Sequence, residues 1–563
     1  MSAETMSSPA KGELVRSIDW RGAFWVASGV PALVLFSIGG IAGTVGIPAF
    51  AIWAVSMVMG FIQSFTYAEI AGLFPNKSGG ASVYGAAAWL KYGKFIAPLS
   101  VWCNWIAWTP VLSLGSAIAA GYILGIMEPA PAAEAIAAEI ARSAAAGTVI
   151  DDAAAIVNLM PLHNWSLFTI DLGVVVMSFN WTFVIGTILM LLAFAIQHRG
   201  ILGTAKVQTV VGLIIVLTLF IVGVVPFFNG NFDSTNFSPF VPLAVPYAPE
   251  PGAWNIAGWT LILGGMFIAA WSTYGFETAI CYTSEFKNPE TDTFKAIFYS
   301  GLLCLVLFIL VPITFQGYLG LTGMLDGGVV AGTGVADVMA RMVGGGHAIN
   351  VIFVFLMIAS LILIIITAMA GSSRTLYQGS VDGWLPKYLS HVNHNGAPTG
   401  AMWTDLVFNL ILLSIASTDA TAYYFILAVS NCGYIIFNFL NLNAGWIHRI
   451  DSGHVKRPFK APTIILAIGT VLAFVNAMFM GAGAKVWNAN ALLAGFIAAA
   501  LIIPVFWFRH YVQDKGKFPD RMLDDLGIKD AGHLGEKKAG MLPYVTLAGG
   551  VAVVLISNWI FTG

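Results

Sequence analysis

Glu277 is an acid placed well inside a long apolar run, at the end of Gly264-Gly265-Met266-Phe267-Ile268-Ala269-Ala270-Trp271-Ser272-Thr273-Tyr274-Gly275-Phe276-Glu277. A carboxyl in hydrocarbon costs about 2–3 kcal/mol or more on insertion scales, so it must face protein or water. Two roles fit: a structural acid hydrogen-bonded to a neighbouring helix, or a gating or proton-responsive group. A second unusual stretch is Ser37-Ile38-Gly39-Gly40-Ile41-Ala42-Gly43-Thr44-Val45-Gly46, with four glycines in eight residues. Each glycine lowers helix stability by about 1 kcal/mol relative to alanine. The cluster predicts an unwound or closely approached backbone, whose freed amides would point at whatever fills the gap. Close packing, with Gly39 and Gly43 as a small-xxx-small contact, is the alternative. Hydrolytic or metal chemistry finds no comparable support. The nine histidines lie in loops or at run ends, and no nucleophile–base or metal-ligand spacing emerges. The chain therefore reads as no enzyme, with no metal and no cofactor beyond a coupling proton or sodium ion.

These two stretches are held by a chain that is 58% apolar and only 10% charged, against about 45–50% and about 25% in soluble proteins. Such a chain has too few charges to cover a soluble globule. Its four cysteines cannot be a disulfide framework, and a net charge of −2 gives no field for nucleic acid. About 20 mostly apolar residues cross a bilayer. Thirteen runs qualify, near 24–46, 48–73, 97–126, 170–197, 204–228, 256–281, 296–320, 348–376, 400–417, 422–446, 462–482, 489–509 and 541–561. Residues 1–20 are polar with no short apolar core, so the first run is expected to act as its own insertion signal. With the N-terminus inside, all but Arg142, Arg341 and Lys485 of the 26 Lys and Arg residues fall on the inner side. The positive-inside rule then puts the N-terminus in the cytoplasm of a plasma (inner) membrane and the C-terminus outside. The outer loops 127–169 and 229–255 are expected to fold as lids.

The interrupted runs are the first and the sixth, which suggests two related five-helix halves with a substrate near the midplane between the breaks. Half-helix N-termini there would receive a carboxylate and exposed carbonyls an ammonium. The residues alone therefore point to a transporter of a zwitterion or small ion. A channel would need a continuous polar path with charged or carbonyl rings, which is not evident.

Three further stretches carry a resemblance. They are Tyr67-Ala68-Glu69-Ile70 with Pro75-Asn76-Lys77-Ser78-Gly79-Gly80; Gly275-Phe276-Glu277 with Glu285-Phe286-Lys287-Asn288-Pro289 and Lys295-Ala296-Ile297; and Ser372-Ser373-Arg374-Thr375-Leu376-Tyr377 with Asp382-Gly383-Trp384-Leu385-Pro386 and Pro398. In order and spacing the chain resembles amino acid permeases of the amino acid–polyamine–organocation superfamily. The resemblance implies an all-α polytopic membrane protein with a LeuT-like 5+5 inverted repeat, discontinuous helices 1 and 6, and two or three extra C-terminal helices. The expected organisation is a cytoplasmic segment 1–23, a ten-helix core 24–446 (halves about 24–228 and 256–446), helices 11 and 12 in 447–509, a basic segment 510–540 and a thirteenth helix in 541–563.

By position, the resemblance assigns substrate contacts to Ser37, Ile38, Gly39, Gly40, Ile41, Ala42 and Gly43 of helix 1. It adds Asn104 and Trp108 of helix 3, and Trp271, Ser272, Thr273, Tyr274 and Gly275 of helix 6, with Trp271 closing over the substrate. Glu277, Glu69, Lys206, Glu285 and Arg374 are the expected gate and coupling groups. The uncharged, aromatic pathway favours neutral amino acids, large or aromatic ones included, moved by cation symport or exchange. A basic amino acid or polyamine antiporter, or a nutrient sensor on the same fold, is the alternative. Three departures stand out. Ile41-Ala42-Gly43-Thr44-Val45 is not the usual helix-1 signature. The helix-5 position that is Lys in proton-coupled relatives maps to Ile215. The thirteenth run exceeds the common twelve. Sodium, if used, is expected between helix 1 and Ser372 or Ser373.

Overall fold

In a computed structural model the chain is almost entirely helical. Residues 14–562 are described except 147, 149, 174 and 526–536. Parts of the expected segments 1–23 and 510–540 thus lie outside the described residues. Among the described residues, twelve helices are long and apolar enough to cross a bilayer: Trp20–Val45, Ala49–Ala71, Ile96–Met127, Ile201–Phe227, Ile256–Glu285, Pro289–Met324, His347–Val381, Thr399–Ala416, Ala420–Asp451, Thr463–Trp487, Ala491–Gln513 and Leu542–Phe561. A shorter apolar helix, Trp181–Gln197, falls fourth in order. Counted with it, these are helices 1 to 13.

The fourth run was expected to begin at 170, but its helix starts at Trp181. The preceding residues form an antiparallel hairpin of β1 (Ser166–Asp171) and β2 (Val176–Asn180). Asn180 explains the boundary: its side chain accepts the Phe183 N–H, an N-cap that starts the helix there.

Helices 1, 6 and 10 are the most enclosed, and helix 13 the least. Helix 13 lies along helix 11 and touches helices 6 and 10. Its start is tied down by Tyr544, whose hydroxyl donates to Tyr92 O at 2.8 Å. The helix-1 break is not where the glycine cluster suggested. Trp20–Val26 is α-helical, Ala27–Leu33 is wound as a tighter 3-10 stretch, and Val34–Val45 is α-helical straight through Gly39, Gly40 and Gly43. Pro31 accounts for the position, since it removes one helical N–H donor and crowds the preceding turn. In helix 6 the α-helix ends at Thr273 and a 3-10 stretch runs over Gly275–Ile280. The two irregular stretches touch each other.

Candidate functional site

The junction of the two breaks is built on absent side chains. A Cβ on Gly275 would lie 2.8 Å from the Trp108 ring and 3.2 and 3.3 Å from Leu33 and Val30. A Cβ on Gly29 would meet Thr367 Oγ1 at 2.6 Å and the helix-8 backbone at Ile364 and Leu363 at 3.0 Å. Only glycine lets helices 1, 3, 6 and 8 come this close. Polar contacts fix the junction. Ser272 Oγ donates to Leu33 O (3.4 Å) and lies 3.5 Å from Ser37 Oγ. Thr367 Oγ1 donates to Val26 O (2.8 Å), while Gln208 Nε2 of helix 5 donates to Thr367 Oγ1 (2.8 Å) and Leu363 O (3.1 Å).

Of the expected helix-1 contacts, Ser37 alone reaches helix 6 through a hydrogen-bonding group. Ile38, Gly39, Gly40, Ile41, Ala42 and Gly43 are buried in regular helix. Their glycines serve close packing. A Cβ on Gly39 would sit 2.2 Å from Val329 O, on Gly40 2.3 Å from the Tyr424 hydroxyl, and on Gly43 2.6 Å from the Tyr247 ring. Thr273 Oγ1 lies 2.8 Å from Ser56 Oγ of helix 2, and Tyr274 donates to Asn476 of helix 11 (3.1 Å). Both turn away from helix 1. Trp271 is buried against Phe36, ring centroids 6.1 Å apart, with its indole N–H shared between Ala107 O (3.0 Å) and Ser430 Oγ (2.9 Å).

Glu277 lies just beyond Gly275. Trp108 Nε1 donates to its Oε1 at 3.0 Å. The Ala81 N–H and the Asn104 amide are the other polar groups that face it. Neither Glu277 Oε2 nor Asn104 Nδ2 closes a hydrogen bond of good geometry. Among the described residues no cation stands within 4 Å of Glu277. Asn104 Oδ1 accepts from Thr375 Oγ1 (3.0 Å), which also donates to Gly79 O (2.9 Å), so this corner joins helices 3, 6 and 8 to the loop after helix 2. Three residues back on helix 3, Trp105 Nε1 donates to a second buried carboxyl, Asp405 (2.6 Å), which also accepts from Ser372 Oγ (2.6 Å) and Thr109 Oγ1 (3.2 Å).

On the face that carries residues 14–19 and most of the described lysines and arginines, called here the basic face, lie two buried ion pairs. Arg374 forms a fork with Glu285 (Nε–Oε2 2.6 Å, second nitrogen to Oε1 3.0 Å), neither more than 1% exposed. Lys77 Nζ meets Asp382 Oδ1 at 2.6 Å, and Gln378 donates to the same oxygen at 2.9 Å. The segment before helix 1 lies against Glu285, with the Ser17 and Ile18 N–H groups donating to Glu285 O (2.9 and 3.2 Å). Of the expected gate residues, Glu285 and Arg374 come together here. Glu69 is spent elsewhere, held by Arg449 (2.6 Å) with Arg457 nearby (3.1 Å). Lys206 is exposed.

On the opposite face, Tyr247 and Leu243 of the loop after helix 5 cover the end of helix 1, donating their N–H groups to Gly43 O (2.6 Å) and Val45 O (3.1 Å). Tyr424 OH donates to Val330 O (2.8 Å) in the short helix Gly327–Val330, which packs on the same helix 1 segment.

Residues 18–503 match the amino acid permease family. The chain belongs to that family, within the amino acid–polyamine–organocation superfamily. It is a family of transporters, not of enzymes. The chain is similar to the branched-chain amino acid permease BcaP of Lactococcus lactis, 23% identical over 302 residues, or 53% of this chain and 60% of that protein. It is also similar to the amino-acid permease GAP3 of Candida albicans, 25% identical over 260 residues (43% of each), and to BcaP of Bacillus subtilis, 22% identical over 463 residues (80% and 87%). The chain thus spans 60% and 43% of the length of the first two relatives and most of the third.

The residues missed by sequence reasoning are Gly29, Val30 and Leu33 of the true break, Thr367, Gln208 and Asp382. The signal for the break was Ser28-Gly29-Val30-Pro31, a helix breaker beside a glycine. Gln208, not Ile215, is the helix-5 residue that reaches helix 8 beside the break; Ile215 is buried and apolar. Thr367, not Ser372 or Ser373, bonds the helix-1 backbone, because Ser372 turns to Asp405 and Ser373 to Met369 of its own helix.

Proposed function

We propose that the chain is a secondary transporter of neutral amino acids, working by alternating access around a seat between the breaks of helices 1 and 6. The observation that carries this is the meeting of two irregular stretches, five helices apart in order, in the most enclosed part of the bundle, with each face shut by its own contacts. In this reading helices 1–5 and 6–10 are the two halves of an inverted repeat, and the non-α-helical backbone at 27–33 and 274–280 supplies groups for a carboxylate and an ammonium. The side chains at the junction, Val30, Leu33, Phe36 and Trp108, are apolar, which suits an aliphatic or aromatic substrate. The branched-chain permeases among the relatives support the same class.

Trp271 is the closing residue, and its indole N–H must leave Ala107 O or Ser430 Oγ when it moves. The basic face is cytoplasmic, by the bias of Lys and Arg. For coupling, a proton at Glu277 suits this chain better than sodium. The oxygens of helices 1 and 8 that would cradle a cation, Val26 O and Thr367 Oγ1, bond one another, and the Gln208 amide places donors on that spot. Glu277 is a buried carboxyl whose polar neighbours among the described residues are neutral. The test is uptake into proteoliposomes under an imposed proton or sodium gradient. Wild type is expected to respond to the proton gradient and Glu277→Gln to lose that response; sodium-driven uptake in the wild type contradicts it.

A further inference from the structure

Between helices 12 and 13 runs an apolar cleft of about 590 Å³. Helices 10 and 11 form its floor, where Leu440 and Met480 are buried. Phe95 and Leu99, at the start of helix 3, stand at its end toward the basic face. Its rims, Ile503 on helix 12 and Val551 and Leu555 on helix 13, are more than half exposed. The match to the permease family ends at residue 503, so the helix 13 wall lies beyond it.

Both walls are pinned to the bundle at close approach. For helix 13, a Cβ on Gly481 would lie 2.4 Å from Val554 O and a Cβ on Gly550 2.5 Å from the Phe439 ring, and Asn558 donates to Gly481 O (3.0 Å). For helix 12, a Cβ on Gly495 would lie 2.4 Å from Cys432 Cβ, and Trp102 Nε1 donates to Ala498 O (2.8 Å). The walls so held leave the space between them open. At hydrocarbon depth an open apolar cleft forfeits the dispersion contacts of its lining unless an acyl chain fills it. Its volume falls in the range of about 300–1,000 Å³ usual for ligand pockets.

The mouth at the basic face carries positive charge. Lys94 adjoins Phe95 and is exposed, with its Nζ 5.8 Å from the centre of the Phe518 ring. Lys537 and Lys538 precede helix 13 and are exposed, Lys537 Nζ donating to Tyr544 OH at 3.4 Å. The Ala539 N–H donates to Tyr92 OH (3.2 Å) and Tyr544 OH to Tyr92 O (2.8 Å), which holds both lysines beside the start of helix 3. The acids of this corner are already engaged. Asp451 is buried and accepts from Tyr92 OH (2.9 Å), with Lys91 4.0 Å away, and Asp514 is held by Arg509 (2.6 Å) and Lys387 (2.9 Å). Exposed lysines at the end of an apolar cleft complement a phosphate carried on acyl chains, and each lysine near a membrane surface favours anionic lipid.

We infer that this cleft binds one anionic phospholipid, with an acyl chain between helices 12 and 13 and the phosphate among Lys94, Lys537 and Lys538, so that the lipid joins helix 13 to helix 12. The experiment offers the purified full chain in detergent equal amounts of phosphatidylglycerol and phosphatidylcholine, each with the same photoreactive acyl chain, and maps the cross-links by mass spectrometry. Phosphatidylglycerol is expected to label Val551 and its neighbours in the cleft at least fivefold more than phosphatidylcholine. Lys94→Gln and Lys538→Gln are each expected to lower that preference about fivefold, the usual worth of one lysine beside anionic lipid. Ala500→Trp, at an exposed position on the helix 12 wall, is expected to block labelling at Val551 by either lipid. Equal labelling by the two lipids, or a preference unchanged in both lysine variants, overturns the anionic headgroup site. Labelling spread evenly over the outer helices, or undiminished at Val551 in Ala500→Trp, overturns the cleft. A wild-type dimer that Ala500→Trp splits makes a second copy of the chain the occupant and overturns the lipid.

Discussion

On the proposed transport reading, the pathway is closed by charge at the basic face. Arg374–Glu285 and Lys77–Asp382 are buried, and Gln378 ties Asp382 to the Ser78 N–H. At the opposite face it is closed by shape. Gly39, Gly40 and Gly43 let Val329, Tyr424 and Tyr247 lie directly on helix 1, helped by three hydrogen bonds that involve backbone. The two closures differ in how they release. A buried ion pair is bistable: while paired it is satisfied, and once separated each charge needs water or a new partner. A glycine contact releases smoothly but tolerates no added volume. The basic face should therefore be sensitive to loss of a partner, and the opposite face to gain of a methyl group.

The largest effect should follow from Arg374→Ala, which leaves Glu285 buried without its partner. A cost of about 3–5 kcal/mol is expected for such a break, read as a fall in the melting temperature of the purified protein and loss of uptake. The double variant Arg374→Ala/Glu285→Ala should recover part of that stability without recovering transport. If the double variant is no more stable than the single one, the buried fork is not what holds this face.

On the opposite face, Gly40→Ala puts a methyl into the Tyr424 ring. Overpacking of this kind costs about 1–3 kcal/mol. It is expected to depress uptake, and Tyr424→Ala in the same chain is expected to restore it. Rescue that fails would place the defect inside helix 1 and not at the contact. Gly43→Ala, against the Tyr247 ring, should behave alike but more mildly, because Tyr247 lies on a loop that can give way.

These contrasts also show what could be read from the chain alone. Most of the spans and the permease family were legible because each follows from composition or from motifs with fixed spacing, whereas the pairing of Glu285 with Arg374 was not. The glycine cluster was open to two readings, a break or close packing, and it serves close packing. Glycine lowers helix propensity, but it equally permits close approach, and the neighbours that decide between the two, Val329, Tyr424 and Tyr247, lie on distant parts of the chain. Pro31 was the better marker, since no packing partner restores a missing N–H. Glu69 looked like a gate acid from its motif, yet Arg449 and Arg457, nearly four hundred residues on, take it up. Asp405 sat near a run end and its role was not visible. Only the fold shows that Trp105 and Trp108, on one helix, give their indole N–H groups to two different buried carboxyls.

The smallest effect belongs to Lys206. It is exposed, on a helix surface away from either closure, so Lys206→Ala should change stability and uptake little, within about 0.5 kcal/mol as for ordinary surface positions. A large loss there would move the inner gate to a place where the structure shows none.

The most direct measurement is uptake of a panel of labelled amino acids by the purified full chain in proteoliposomes, for wild type and for Gly275→Val, whose side chain presses on Val30, Leu33 and Trp108. The account predicts uptake of leucine, isoleucine, valine or phenylalanine in preference to arginine and glutamate, and its loss in Gly275→Val while the protein stays folded. Wild-type rates in Gly275→Val, or uptake indifferent to every amino acid offered, would contradict a substrate seat between the breaks of helices 1 and 6.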